Sequence, residues 1–144
     1  MKVIFLDIDG VLNGLEYQMS TTEEPPLIDA SRLAIVKEII DKSGAKVILS
    51  SSWKKAWVKN HGLDCVFQNA GIDIYDVTPT LGRKNTEISA WLNAHAEIES
   101  FVILDDADIG WGELLPNVII TNPIDENGLE EKHIPLALKI LSDN

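Results

Sequence analysis

Five short apolar runs dominate this chain: Lys2–Ile8, Ala45–Leu49, Ile72–Val77, Phe101–Leu104 and Val118–Thr121. The first two have the near-continuous apolar character of central strands in a parallel sheet, which is covered on both faces. Between the runs lie stretches with helical spacing. Asp29 or Ser31 can cap a helix to about Lys42, with Leu33, Val36, Ile39 and Ile40 on one stripe. Trp53–Asn60 and Leu63–Asn69 suggest two short helices, Asn85–His95 a longer one, and His133–Leu141 the last. Residues Asn13 to Leu27 are polar, contain Pro25-Pro26, and predict a loop. Alternating strands and helices give an α/β fold, a three-layer α/β/α Rossmann-like parallel sheet with helices on both faces. The 144 residues suit a single domain over 1–144.

The rest of the composition narrows the class. No apolar run is long enough for a signal-peptide core or a bilayer span, so a cytoplasmic protein without a membrane association is expected. Cys65 is the sole cysteine, which excludes an internal disulfide and suits a reducing compartment. The net charge of −11 repels polyanions, so no general nucleic-acid binding is expected. The cations are uneven: ten of the twelve Lys and Arg lie at or before Lys84. Small basic clusters remain at Lys54, Lys55 and Lys59, predicted as an exposed helix face, and at Arg83-Lys84.

In open parallel sheets ligands bind at the carboxyl ends of the strands. The residues there are Asp7 and Asp9, Ser50-Ser51-Ser52, and Asp105-Asp106, all polar. Asp7 and Asp9 are two apart, so an extended chain would point both to one side. Gly10 then lets the backbone bend and approach a ligand. Two carboxylates about 4 Å apart repel by roughly 4 kcal/mol at an effective dielectric near 20. Carboxylates sharing a pocket therefore need either protons or a cation. A hard divalent ion with oxygen ligands fits, and Mg²⁺ fits a site that keeps waters and shares a phosphate.

Four motifs in order resemble the haloacid dehalogenase (HAD) superfamily in its phosphatase branch. They are Asp7-Ile8-Asp9-Gly10-Val11-Leu12; the run Val47-Ile48-Leu49 followed by Ser50; Arg83 or Lys84 opening a helix; and Val102-Ile103-Leu104-Asp105-Asp106. Ser50-Ser51-Ser52-Trp53 and Glu87-Ile88-Ser89-Ala90-Trp91-Leu92 look most like the subgroup associated with Swiss-army-knife RNA-repair proteins. The resemblance implies a Mg²⁺-dependent phosphomonoesterase. Asp7 would be the nucleophile that forms an aspartyl-phosphate, and Asp9 the general acid and base. Ser50, Ser51 and Lys84 would bind the phosphoryl group. The metal would be held by the Asp7 side chain, the Asp9 backbone carbonyl and Asp106, with Asp105 close by. Asp108 is left as a water-mediated partner.

The gaps after the first motif and between the second and third are too short for a large cap domain. An open site would admit a nucleotide, a phosphorylated nucleic-acid end or another bulky phosphoester. Two other readings compete: a phospho-receiver domain, and a catalytically silent partner-binding domain. Trp53 and Trp111 follow the two site loops but are expected to be mainly structural. The three histidines lack metal-ligand spacing, and Cys65 is expected to be a packed hydrophobe.

Overall fold

Val3, Ile4, Phe5 and Leu6 are all wholly buried, so the strand they form must be covered on both faces and both edges. The computed structural model describes residues 1–20, 28–52, 54 and 62–143, and it meets that requirement. In chain order the elements are β1 (Lys2–Leu6), α1 (Leu15–Ser20), α2 (Ala30–Ser43), β2 (Lys46–Leu49), α3 (Gly62–Asn69), β3 (Ile74–Val77), α4 (Lys84–Asn93), β4 (Ser100–Asp105), a 3-10 turn (Gly112–Asn117), β5 (Val118–Ile120) and α5 (His133–Ser142). The sheet is ordered β3-β2-β1-β4-β5 and every pairing is parallel. The strand order sets aside the receiver reading, because receivers follow the 2-1-3-4-5 order of the flavodoxin-like fold.

Alternation along the strands divides the core in two. Ile4, Leu6, Val47, Leu49, Val102 and Leu104 face Leu33, Val36 and Ile39 of α2, Phe67 of α3, and Ile134, Ala137 and Leu141 of α5. Val3, Phe5, Ile48 and Ile103 face Ile88 and Trp91 of α4 and Trp111. Phe5 meets the Trp91 ring edge-on, centroids 5.5 Å apart. Each such buried side chain contributes roughly 1.5–3 kcal/mol. The three-layer arrangement follows from the two-residue strand period.

Local signals set several boundaries. The Asp29 side chain accepts from Ser31 N–H at 2.9 Å and starts α2. Gly44, at φ +75°, ends it with its N–H on the Ile40 carbonyl. Two expectations need correction. The predicted loop after Asn13 contains α1, whose six residues bury none of their side chains and so leave no apolar stripe to read. Cys65 is exposed, because α3 turns Phe67 rather than its thiol to the sheet. The helix expected from Trp53 to Asn60 lies, Lys54 apart, outside the described residues.

The hydrogen-bond ladder runs one step past the ends of β1, β2, β3 and β5. Asp7 N–H donates to Leu104 O, Ser50 N–H to Leu6 O, Thr78 N–H to Leu49 O and Thr121 N–H to Asp105 O, all within 2.9–3.1 Å. The first residue beyond each of these four strands is thus tied into the ladder. Thr121 adds a side-chain bond, its hydroxyl donating to Gly10 O at 2.7 Å in a buried setting. Thr121→Val should therefore leave the Gly10 carbonyl unsatisfied and lower unfolding free energy by about 1–3 kcal/mol. Urea denaturation should show an earlier midpoint with unchanged slope.

Candidate active site

The chain turns sharply where β1 ends. Val11 and Leu12 N–H groups return to Ile8 O, and Gly10 N–H donates to both the backbone and the side-chain oxygen of Asn13. Gly10 sits at φ +84°, and a Cβ there would fall 2.2 Å from Asp106 Oδ2. Glycine is thus required twice, by the backbone angle and by the carboxylate beside it.

The turn separates the two acids of the first motif. Asp7 is buried, whereas Asp9 is exposed, and its carboxylate accepts from Asn13 Nδ2 at 3.2 Å. Regular strand ends at Leu6, so the two acids have different surroundings, one buried in a carboxylate cluster and one exposed. Asn13 is fully buried and takes a further bond from Gln18 of α1. Because Gly10 N–H can only donate, Asn13 must present its oxygen there and its amide nitrogen to Asp9.

β1 and β4 are paired neighbours, with Leu6 opposite Leu104, so the acids that follow converge. Asp7, Asp105 and Asp106 each place a carboxylate oxygen within 4.8 Å of the others. Asp7 and Asp105 are buried and Asp106 is half-buried. Burial, then the charge of Asp105, push the Asp7 carboxyl up to about 7, even though Lys84 pulls the other way. Asp106 is raised for the same two reasons, burial first and Asp105 second.

Lys84 is the cation that enters this cluster. Its ammonium lies 3.3 Å from Asp7 Oδ2 and 2.7 Å from Asp105 Oδ2. The contact with Asp105 is a close ion pair, and a carboxylate oxygen so engaged retains acceptor capacity. Burial disfavours the Lys84 charge, but Asp7 and Asp105 outweigh it and raise its pKa. Its neighbour Arg83 is exposed and precedes α4 without a side-chain cap.

The β2 end adds a neutral polar group. Ser50 and Ser51 are both buried, and Ser50 Oγ has no hydrogen-bond partner among the described residues. A buried hydroxyl without a partner is rare and calls for a ligand or water. Lys54 corrects an expectation: it is buried rather than on an exposed face. Its ammonium donates to Thr78 Oγ1, Pro79 O and Glu87 Oε1. Glu87, also missed, had one sequence signal, an acid in the first turn of α4. Lys55 and Lys59 lie outside the described residues.

The remaining candidates fall away from the cluster. Asp108 is exposed and stands outside it. Trp111 is buried and bonded to Ala107 O, as its structural reading expected. His95 stacks on Trp91, and His133 is buried with Nδ1 accepting from Glu130 N–H. No helix among the described residues is long and apolar enough to cross a membrane.

The donor set suits a hard cation. It offers three carboxylates and a retained acceptor on Asp105, with no thiolate or imidazole among them. A central β1 ending in an acid, a partnered β4 ending in two more, and a lysine at the start of α4 define a haloacid dehalogenase-type domain. A family model described as the HAD domain in Swiss Army Knife RNA repair proteins matches residues 3–134, and the chain belongs to that family. Comparison with curated proteins and with solved structures found no match.

Two outcomes follow for the metal-free protein. Asp7 holds its proton more tightly folded than unfolded, so its stabilising contribution is complete below about pH 4 and is lost as pH rises through about 7. In EDTA the melting temperature should therefore fall between pH 5 and 8, and Asp7→Asn should raise stability at pH 8 by about 1–3 kcal/mol. Calorimetry across that range should show Mg²⁺ binding strengthening with pH and releasing protons. Gly10→Ala should displace Asp106 and weaken Mg²⁺ binding by at least about tenfold, with a stability loss of about 1–3 kcal/mol. A Gly10→Ala protein with normal Mg²⁺ affinity would contradict this.

Proposed function

We propose that the chain is a Mg²⁺-dependent phosphomonoesterase that works through an aspartyl-phosphate on Asp7. The convergence of Asp7, Asp105, Asp106 and Lys84 at the ends of β1 and β4 carries this reading. Four ionisable groups in so small a space, Asp7 and Asp105 buried and Lys84 and Asp106 half-buried, are costly to stability and are explained by chemistry.

Asp7 attacks phosphorus through a carboxylate oxygen while the bond to the leaving oxygen breaks. Asp9, on the open side, delivers its proton to that leaving oxygen. The first product departs and Asp7 carries the phosphoryl group. Asp9, now a carboxylate, takes a proton from an entering water whose oxygen attacks the same phosphorus. The bond to Asp7 breaks, releasing phosphate and restoring both acids. Lys84 faces the charge spread over the phosphoryl oxygens, and Ser50 Oγ and the N–H groups near it hold them. Asp7, the Asp9 carbonyl and Asp106, with Asp105 alongside, would hold Mg²⁺, whose charge would offset that of the nucleophile and phosphate.

The family name supports a substrate among phosphorylated nucleic-acid ends or nucleotides, and exposed Asp9 leaves room for a bulky leaving group. The acidic chain argues against gripping a long polyanion, so a terminal phosphate suits it better than a duplex. The protein should release phosphate from p-nitrophenyl phosphate only with Mg²⁺, and Asp7→Asn should reduce turnover by at least about a thousandfold. A panel of 5′- and 3′-phosphorylated oligonucleotides, nucleotides and phosphopeptides should then rank the substrates. Undiminished turnover in Asp7→Asn would overturn the mechanism.

A further inference from the structure

Lys54 and Glu87 lie 33 positions apart in sequence, yet they form a buried ion pair at 3.0 Å. Lys54 stands just beyond the serines after β2, with its N–H on Ser51 O at 3.1 Å. Glu87 stands in the first turn of α4, three residues after Lys84. The pair reaches further than itself. Lys54 Nζ also donates to Thr78 Oγ1 at 3.1 Å and Pro79 O at 3.0 Å. The other Glu87 oxygen accepts from Leu81 N–H at 2.7 Å and Gly82 N–H at 3.2 Å. Two side chains therefore fasten the segment after β2, the segment after β3 and the start of α4.

An ammonium has three hydrogens, and all three here have protein acceptors. Lys54 is therefore committed within the protein and has no hydrogen left for a phosphoryl oxygen. Stability is a weak explanation for the pair, since buried ion pairs commonly gain little over apolar residues of similar volume. The pair instead fixes geometry. Glu87 reaches back across Arg83, which offers no cap of its own, to two backbone N–H groups just ahead of the helix. That sets where α4 begins and so where Lys84 departs toward Asp7. Through Lys54 N–H on Ser51 O the same clasp braces the chain just after Ser50, whose own N–H is held by Leu6 O.

We propose that Lys54 and Glu87 are positioning residues that hold the two halves of the phosphate cradle, the serines after β2 and Lys84, at a fixed separation. This rests on the phosphatase reading for what the cradle binds. Among the described residues no hydrogen bond or ion pair of the clasp reaches Asp7, Asp9, Asp105 or Asp106, so its loss should weaken phosphate recognition and spare metal binding.

The test uses the full chain with Lys54→Met, isosteric Glu87→Gln, the double variant, and the milder Thr78→Val, which removes a single Lys54 acceptor. Orthovanadate and inorganic phosphate affinities with Mg²⁺, the Mg²⁺ affinity alone, and KM and kcat on p-nitrophenyl phosphate are measured beside the melting temperature. Lys54→Met and Glu87→Gln should each weaken orthovanadate binding and raise KM by about tenfold, with Mg²⁺ affinity within about twofold. The double variant should be no worse than the weaker single, since both cut one link. Thr78→Val should fold and weaken orthovanadate binding by about threefold, which decides the matter if the charge variants fail to fold. A lowered melting temperature with orthovanadate affinity and KM unchanged would make the pair merely structural and overturn the proposal, leaving the phosphatase reading intact. A wild-type protein that binds orthovanadate without turning over substrate would overturn the phosphatase reading, with the clasp still judged by the binding constants. Wild-type protein that binds neither anion would overturn both.

Discussion

Parallel pairing of β1 with β4 places Leu6 against Leu104, and the next residue of each strand is an aspartate. The sheet cannot keep its central register without pressing these two carboxylates together, with Asp106 beside them. Most of the local structure answers that repulsion. Asp7 gains proton affinity, Lys84 lies across Asp7 and Asp105, and the donor set suits a divalent ion. The backbone offers no relief, because Asp7 N–H is fixed to Leu104 O.

Lys84 arrives on the flexible end of a side chain, so its usefulness depends on where its helix starts. That start is set by Glu87 reaching backward, and Glu87 is in turn held by Lys54 from the neighbouring segment. Exposed Asp9 depends similarly on buried Asn13, which is braced by Gln18. Lys84 and Asp9 are both held in place by buried polar groups behind them.

The sheet was legible because apolar runs covered on both faces have few other solutions, and the carboxyl ends of those runs pointed to Asp7, Ser50 and Asp105, while Lys84 came from the family resemblance. What escaped was long-range or locally featureless. Lys54 resembles any surface lysine until Thr78, Pro79 and Glu87 are folded around it, and nothing in its neighbours announces a partner 33 positions away. The six residues of α1 bury no side chain, so they carry no period. The two-residue spacing of Asp7 and Asp9 gave no sign of how differently they are buried, because the turn at Gly10 divides their surroundings.

The contact between Gly10 and Asp106 ties two positions nearly a hundred residues apart into one choice. Any side chain at position 10 demands a smaller neighbour than aspartate at 106, while aspartate at 106 forbids any side chain at 10. Each residue vetoes change in the other for as long as the acid is needed. A lineage that lost the acid at 106 would lift only the steric half of this tie, because the left-handed backbone at position 10 still favours glycine. Drift should then surface first at 106, and at 10 only where the turn itself is rebuilt.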